Sequence, residues 1–207
     1  MKTETWPLDT QDAEVAFDLI ASVFARDSSI HKALKIAEDE YRDYLRPSFL
    51  AMTDEGHSLV AKSRSGKVLG CLVATDAYSW SAFVDDASDK FAPISALTRA
   101  LLASSSFRSP ETDGEVLLVD MAAVAPEARG RGLYRRLRIA IEAHAKAQGF
   151  QRIIGELSSV ETQAVVLQEM GHRSIAEIAF DAFEHRGTFP FARIEVPKKI
   201  VLSEQIL

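Results

Sequence analysis

Apolar and polar positions follow two rhythms along this chain, and the switches between them outline its elements. Val15, Phe17, Leu19, Ile20, Val23 and Phe24 recur at helical spacing and predict an amphipathic helix over residues 11–25, capped by Asp9 or Thr10. Arg26-Asp-Ser-Ser29 interrupts that pattern, and a second helical stretch covers residues 30–45, with Pro47 expected to disturb its end. Residues 58–62 and 67–75 are strand-like and flank Ser63-Arg-Ser-Gly66, the signature of a hairpin. A helix is predicted over 94–103, and the run Val116-Leu-Leu-Val-Asp-Met-Ala-Ala-Val124 predicts a strand over 115–124. A helical pattern then covers 133–148, with Gly149 as its C-cap. Beyond it, 151–157 reads as a strand and 161–170 as a short helix stopped by Gly171. Residues 175–183 read as a further strand, and 191–196 as a last strand closed by Pro197.

Two helices, a hairpin and then β-α-β-α-β imply a mixed α/β fold with helices on both faces of one sheet. Between residues 78 and 113 the composition shifts to Ser, Asp and Ala. That segment is too short to bury a sizeable core, so it reads as a helical insertion or lid within a single domain over 1–207.

Composition narrows the function more than the fold. The 207 residues are 47% hydrophobic and 26% charged, with a net charge of −6, which argues against a nucleic-acid footprint. Cys71 is the single cysteine, so no internal disulfide and no cysteine-based zinc site is expected. It lies in an apolar strand pattern and reads as a buried, inert thiol. His31, His57 and His185 are scattered without metal-ligand spacing, and no metal is expected. His144 and His172 read as packed residues. No run reaches the ~20 apolar residues of a membrane span, and the N-terminus lacks a signal core, so a cytoplasmic protein is expected.

Against this acidic background, Arg129, Arg131, Arg135, Arg136 and Arg138 form a basic island. Strand, glycine- and arginine-rich turn, then helix presents free backbone N–H groups to a phosphate. Gly130 and Gly132 allow close approach of an anion, and Arg129, Arg131 and Arg135 add charge. Arg136 and Arg138 read as part of a solvated helix face.

The segment Arg129-Gly-Arg-Gly132-Leu-Tyr134, with Val124-Ala-Pro126 upstream, resembles the acetyl-CoA signature of the GCN5-related N-acetyltransferase (GNAT) superfamily. Tyr134 stands where that pattern ends in a small residue. The element order fits along most of the chain, and Phe24 to Ile30, Ser158-Ser159 and Glu169-Met-Gly171 resemble the arylalkylamine-type members. The resemblance implies a mixed, mostly antiparallel sheet with splayed fourth and fifth strands. It implies acetyl-CoA as cosubstrate, its pantetheine lying along Ala122, Ala123 and Val124. Its pyrophosphate would rest on the N–H groups of Gly130, Arg131, Gly132, Leu133 and Tyr134. Transfer to a small primary amine in a ternary complex is the implied reaction. Protein N-terminal or lysine acetylation, and a non-catalytic acyl-CoA-binding module, are the other readings. The C-terminal residues 189–207 are candidates for exchange in a homodimer.

Amine acetylation needs a base for the ammonium proton and an acid for the departing thiolate. Asp120 interrupts an apolar strand, and strict alternation places it on one face with Leu118, Ala122 and Val124. It is the candidate base; a structural Asp, capping a loop or paired with an arginine, is the other reading. The tyrosine that many members carry after the fifth strand is Leu167 here. The thiolate's proton must then come from Ser159, from water or from a residue elsewhere in the chain, and a helix cap is the other reading of Ser159. Asp27 stands where the insect group has a loop glutamate. Tyr41, Tyr44, Trp80 and Phe83 are candidates for lining an acceptor pocket.

Overall fold

The computed structural model describes residues 3–80 and 88–207. Seven strands form one sheet in the order β1-β2-β3-β4-β5-β7-β6. They are β1 (Thr3–Pro7), β2 (Leu59–Ser63), β3 (Val68–Asp76), β4 (Val116–Val124), β5 (Arg152–Leu157), β6 (Arg173–Ala179) and β7 (Lys199–Ile206). Only β4 and β5 run parallel; the other neighbours are antiparallel.

Helices cover both faces. On one face lie α1 (Thr10–Asp27), α2 (Ser29–Ala33), α3 (Glu38–Asp54), the single turn α4 (Ala77–Trp80) and α5 (Ala92–Ala103). Phe17, Ile20, Tyr41, Leu45 and Phe49 of α1 and α3 pack there against Val60, Cys71, Val73, Met121 and Ala123. On the other face lies α6 (Leu133–Gln148), whose buried stripe Leu133, Leu137, Ile141 and Ala145 meets Leu72, Ala74, Leu117 and Val119. Each such Leu or Ile contributes about 1.5–3 kcal/mol by leaving water. Asp9 caps α1, accepting from the N–H groups of Gln11 and Asp12, and Gly149 at φ +90° closes α6.

Several expectations are corrected. The second helical stretch is two helices, because Lys35 adopts φ +53° between α2 and α3. Pro47 does not end α3, which runs on to Asp54. Its ring is exposed, while Tyr41, Leu45, Phe49 and Met52 anchor the helix on both sides of it. The edge strand β1 carries no apolar alternation and is held by its ladder to β2. The helix after β5 opens as α7 (Val160–Gln163) and continues as a π-helical stretch over Ala164–Glu169. Residues 191–196 are turns that bury Phe191 and Ile194, and the last strand is β7. The polar residues within β7 hid it from a hydrophobicity reading, yet each is partnered. Ser203 donates to the Gly155 carbonyl at 3.0 Å, and Glu204 pairs with Arg152 and Arg173.

Candidate active site

A fork in the sheet creates the site. β4 and β5 pair from Val116↔Arg152 to Val119↔Gly155, and there the pairing stops, although β4 runs on to Val124. The opposite edge of β4 explains the divergence. Val73 faces Met121 and Ala74 faces Val119, so Asp120 is the extra residue of a β-bulge. The bulge also breaks the alternation assumed above. Ala122 and Val124 pack toward α6 with Leu117 and Val119, whereas Asp120 reaches Trp80 on the opposite face. Asp120 therefore shares a side with Leu118 but not with Ala122 or Val124.

A pocket of about 230 Å³ fills the fork and reaches both faces of the sheet. On the α3 side its wall is aromatic. Tyr41 stacks on Phe24 at 5.8 Å and meets His31 at 4.3 Å, and Tyr44 and Trp80 also line it. Of the four aromatic candidates only Phe83 lies outside the described residues. His31 is a neutral imidazole, since burial pushes its pKa down to about 4.

At the fork itself the pocket meets two carboxylates. Desolvation raises Asp120 to about 6, against a hydrogen bond from Trp80 that favours the ionised form. Glu156 on β5, which the sequence reading missed, rises to about 7. Desolvation is the main cause, opposed by the Thr98 hydroxyl at 3.1 Å and reinforced by the charge of Asp120. Its only sequence signal was an acidic residue at an inner position of an apolar strand.

On the α6 side, the turn between β4 and α6 has the geometry expected of an anion loop. Gly130 and Gly132 adopt φ of +69° and +66°, and Gly132 opens α6 without a capping side chain. The N–H groups of Leu133, Tyr134 and Arg135 begin the helix and have no intrahelical acceptor. The arginines are used differently from one another. Arg129 is engaged, donating to the Val124 carbonyl at 3.2 Å and pairing with Asp27 at 2.5 Å. With Arg26, it holds the Asp27 carboxyl down at about 2. Arg135 pairs with Glu169 at 3.3 Å, and Arg136 binds the Arg131 carbonyl and the Thr3 hydroxyl. Arg131 is exposed and forms no ion pair among the described residues.

Two residues lie where the sequence did not suggest. Arg138 belongs to no solvated face: it is 1% exposed and lines the pocket. Tyr134 likewise turns inward, packing beside Leu157, Val166, Val201 and Leu167. Burial raises its phenol, and the adjacent Arg138 guanidinium opposes the rise. Ser159 is the N-cap of α7, accepting from the Thr162 N–H at 3.1 Å, while Ser158 and Thr162 line the pocket. Leu167 stands on the π-helical stretch. Among the described residues no group of three or more His, Cys, Asp or Glu is placed to hold a metal ion, and no helix is long and apolar enough to cross a membrane.

Comparison with known proteins follows this geometry. The solved C-terminal condensation domain of Ebony, in complex with beta-alanyl-dopamine, superposes with a TM-score of 0.86 at 15% identity, over 100% of both chains. Arylalkylamine N-acetyltransferase 2 from Aedes aegypti gives 0.81 at 16% identity, over 100% of this chain and 99% of that one. The polyamine N-acetyltransferase of Drosophila melanogaster gives 0.76 at 18%, over 100% of both. At such identities the likeness is one of fold. No curated protein sequence matches the chain. The sequence model of the acetyltransferase (GNAT) family matches residues 26–170, well over half of the chain. The chain therefore belongs to the GNAT family of acetyltransferases.

Proposed function

We propose that the protein transfers an acetyl group from acetyl-CoA to the primary amine of a small molecule, directly and within a ternary complex. The observation that carries this reading is the pocket through the fork. It has Tyr134 and Arg138 of α6 on one face, just past the glycine turn, an aromatic wall on the other and two raised carboxylates between them. A donor held at Gly130–Arg135 and along Ala122, Ala123 and Val124 would meet an acceptor entering past Tyr41 and Trp80.

Each step then has a group. Asp120, with its pKa near 6, is largely ionised at neutral pH and takes the ammonium proton. Glu156, held near 7, is about half ionised at neutral pH and adds partial negative charge that draws in the cationic amine. The freed amine attacks the thioester carbonyl, the N–C bond forms and the C–S bond breaks. The departing thiolate needs a proton. The Ser159 hydroxyl already donates to Thr162 Oγ1 at 3.1 Å, and it is Ser158 and Thr162 that line the pocket. Of the phenols lining the pocket, Tyr134 lies on the α6 side beside the cofactor loop; we assign the proton to it, and the proton shed by the new amide nitrogen restores the phenol.

The acceptor side is flanked by α3 and by Ile94, Ser95 and Thr98 of α5, and the small volume of the pocket, about 230 Å³, favours a small amine over a peptide. Trp80 and α5, from the segment read as an insertion within a single domain, thus border the acceptor side. The neighbours are consistent with this: one structure is titled for forming N-acetylagmatine, and another carries beta-alanyl-dopamine.

Thermal-shift titration with acetyl-CoA, followed by thiol-release assays over aryl-alkyl amines, polyamines and peptides, tests the reading. Stabilisation together with turnover of at least one small amine is expected. No stabilisation by acetyl-CoA would overturn it, and stabilisation without turnover of any amine would leave a binding module.

A further inference from the structure

The Arg138 side chain has no role in the reaction as derived. It is 1% exposed, lines the pocket, and its Nε and Nη2 have no hydrogen-bond partner. Among the described residues it makes no ion pair. Nε–H and Nη2–H lie on one edge of the guanidinium. Arg26 uses that same edge to hold both carboxylate oxygens of Asp27, each at 3.0 Å. Arg138 therefore keeps a free bidentate fork, the shape that matches a carboxylate. An isolated buried cation is costly, and a neutral carbonyl cannot compensate its charge.

The position of the fork selects the anion. The CoA phosphates belong to the exposed turn at the start of α6, whereas Arg138 lies one turn beyond Tyr134 and is buried. A Cβ on Gly155 would meet Arg138 Nη1 at 3.5 Å and the Val119 carbonyl at 3.1 Å. The guanidinium thus sits where β4 and β5 part. Asp120 is the next residue after Val119, about 3.3 Å along the strand. Asp120, Glu156 and Arg138 line one pocket, so an acyl group held beside Asp120 shares that space with the Arg138 fork.

We propose that the acyl side accepts short dicarboxylic acyl-CoA donors, malonyl- or succinyl-CoA in class, with Arg138 holding the terminal carboxylate. The proposal rests on the acyltransferase reading above and extends its donor range. The chemistry is unchanged: the amine nitrogen bonds the thioester carbon, the C–S bond breaks, and CoA leaves as the thiol. The carboxylate passes untouched into the product. A cationic amine is thereby converted into an anionic half-amide.

The test compares donors of equal carbon count on the full chain, with an amine that turns over in the thiol-release assay proposed above: malonyl- against propionyl-CoA, and succinyl- against butyryl-CoA. The expected result is a kcat/KM ratio of at least ten in favour of one carboxyacyl donor, falling below one in Arg138→Gln. Thermal-shift titration with the same pairs reads the preference without turnover, and also serves if Arg138→Gln does not fold. Wild-type ratios at or below one in both pairs would overturn the proposal while leaving the acetyltransferase reading intact. An unchanged ratio in a folded Arg138→Gln would overturn it as well. Absence of binding and turnover with every donor would sink both readings.

Discussion

Gly155 lies against the Arg138 guanidinium in the crotch of the fork. Its missing Cβ would stand 3.1 Å from the Val119 carbonyl oxygen and 3.5 Å from Arg138 Nη1. Backbone atoms of paired strands cannot yield as a flexible side chain would. Gly155→Ala is expected to destabilise the protein by ~1–3 kcal/mol, lowering the melting temperature by about 2–10 °C in calorimetry. Surface glycines such as Gly56, with nothing within 4 Å, serve as the comparison.

Asp120→Asn separates catalysis from stability. The folded protein holds this carboxyl near 6, above its ordinary value of 3.8, so the folded state binds the proton more tightly than the unfolded one. Ionisation therefore costs stability, fully above pH 6 and progressively less as pH falls toward 4. The amide variant should be more stable than wild type at pH 8, on the order of 2 kcal/mol after allowing for the side chain's partial exposure. That gain should shrink between pH 6 and pH 4 in thermal melts. Acyl transfer should drop by about 10²–10⁴-fold at pH 7, with the loss narrowing at high pH, where free amine is supplied by solvent. An unchanged pH–rate profile would remove Asp120 as the base.

Glu156 titrates in the field of Asp120, whose charge adds to the desolvation that holds Glu156 near 7. Removing that charge in Asp120→Asn should move the Glu156 titration to lower pH, as read by carboxyl carbon NMR. In the reciprocal variant, Glu156→Gln, acyl transfer should retain a rising limb near pH 6. Loss of that limb would make Glu156 the base.

The loop makes its own prediction. Gly132 opens α6 at φ +66°, a conformation that costs a non-glycine residue ~1–2 kcal/mol. Gly132→Ala should raise the Kd for CoA by roughly tenfold, because relaxing the strain rotates the N–H groups at the helix start. Arg129→Ala should act differently. Its partners are Asp27 and the Val124 carbonyl, so the loop and the end of α1 should loosen together in hydrogen exchange.

Where packing is local, the sequence was a good guide. The β4 strand, the glycine turn, α6 and its Gly149 cap all follow from periodicity and glycine placement, and each lies within a residue of expectation. Legibility ended where polar groups are satisfied by distant partners. Ser203 and Glu204 find Gly155, Arg152 and Arg173 across the sheet, so β7 did not read as a strand. Arg138 lies on a helix whose other arginines are exposed, and only its place against Gly155 at the fork shows that it is buried. Glu156 is one acidic residue in a strand until the fork brings it opposite Asp120. Alternation along β4 likewise could not reveal a bulge, since the extra residue is defined by its neighbour on β3.

That bulge has an evolutionary consequence. Val119 and Met121 already face Ala74 and Val73 in register, with Asp120 looped out between them. Excising Asp120 would therefore close the ladder without moving any other β4 side chain to the opposite face. The candidate base is a removable insert on an otherwise regular strand. A lineage could lose the chemistry by a single in-frame deletion while keeping a continuous, well-packed scaffold.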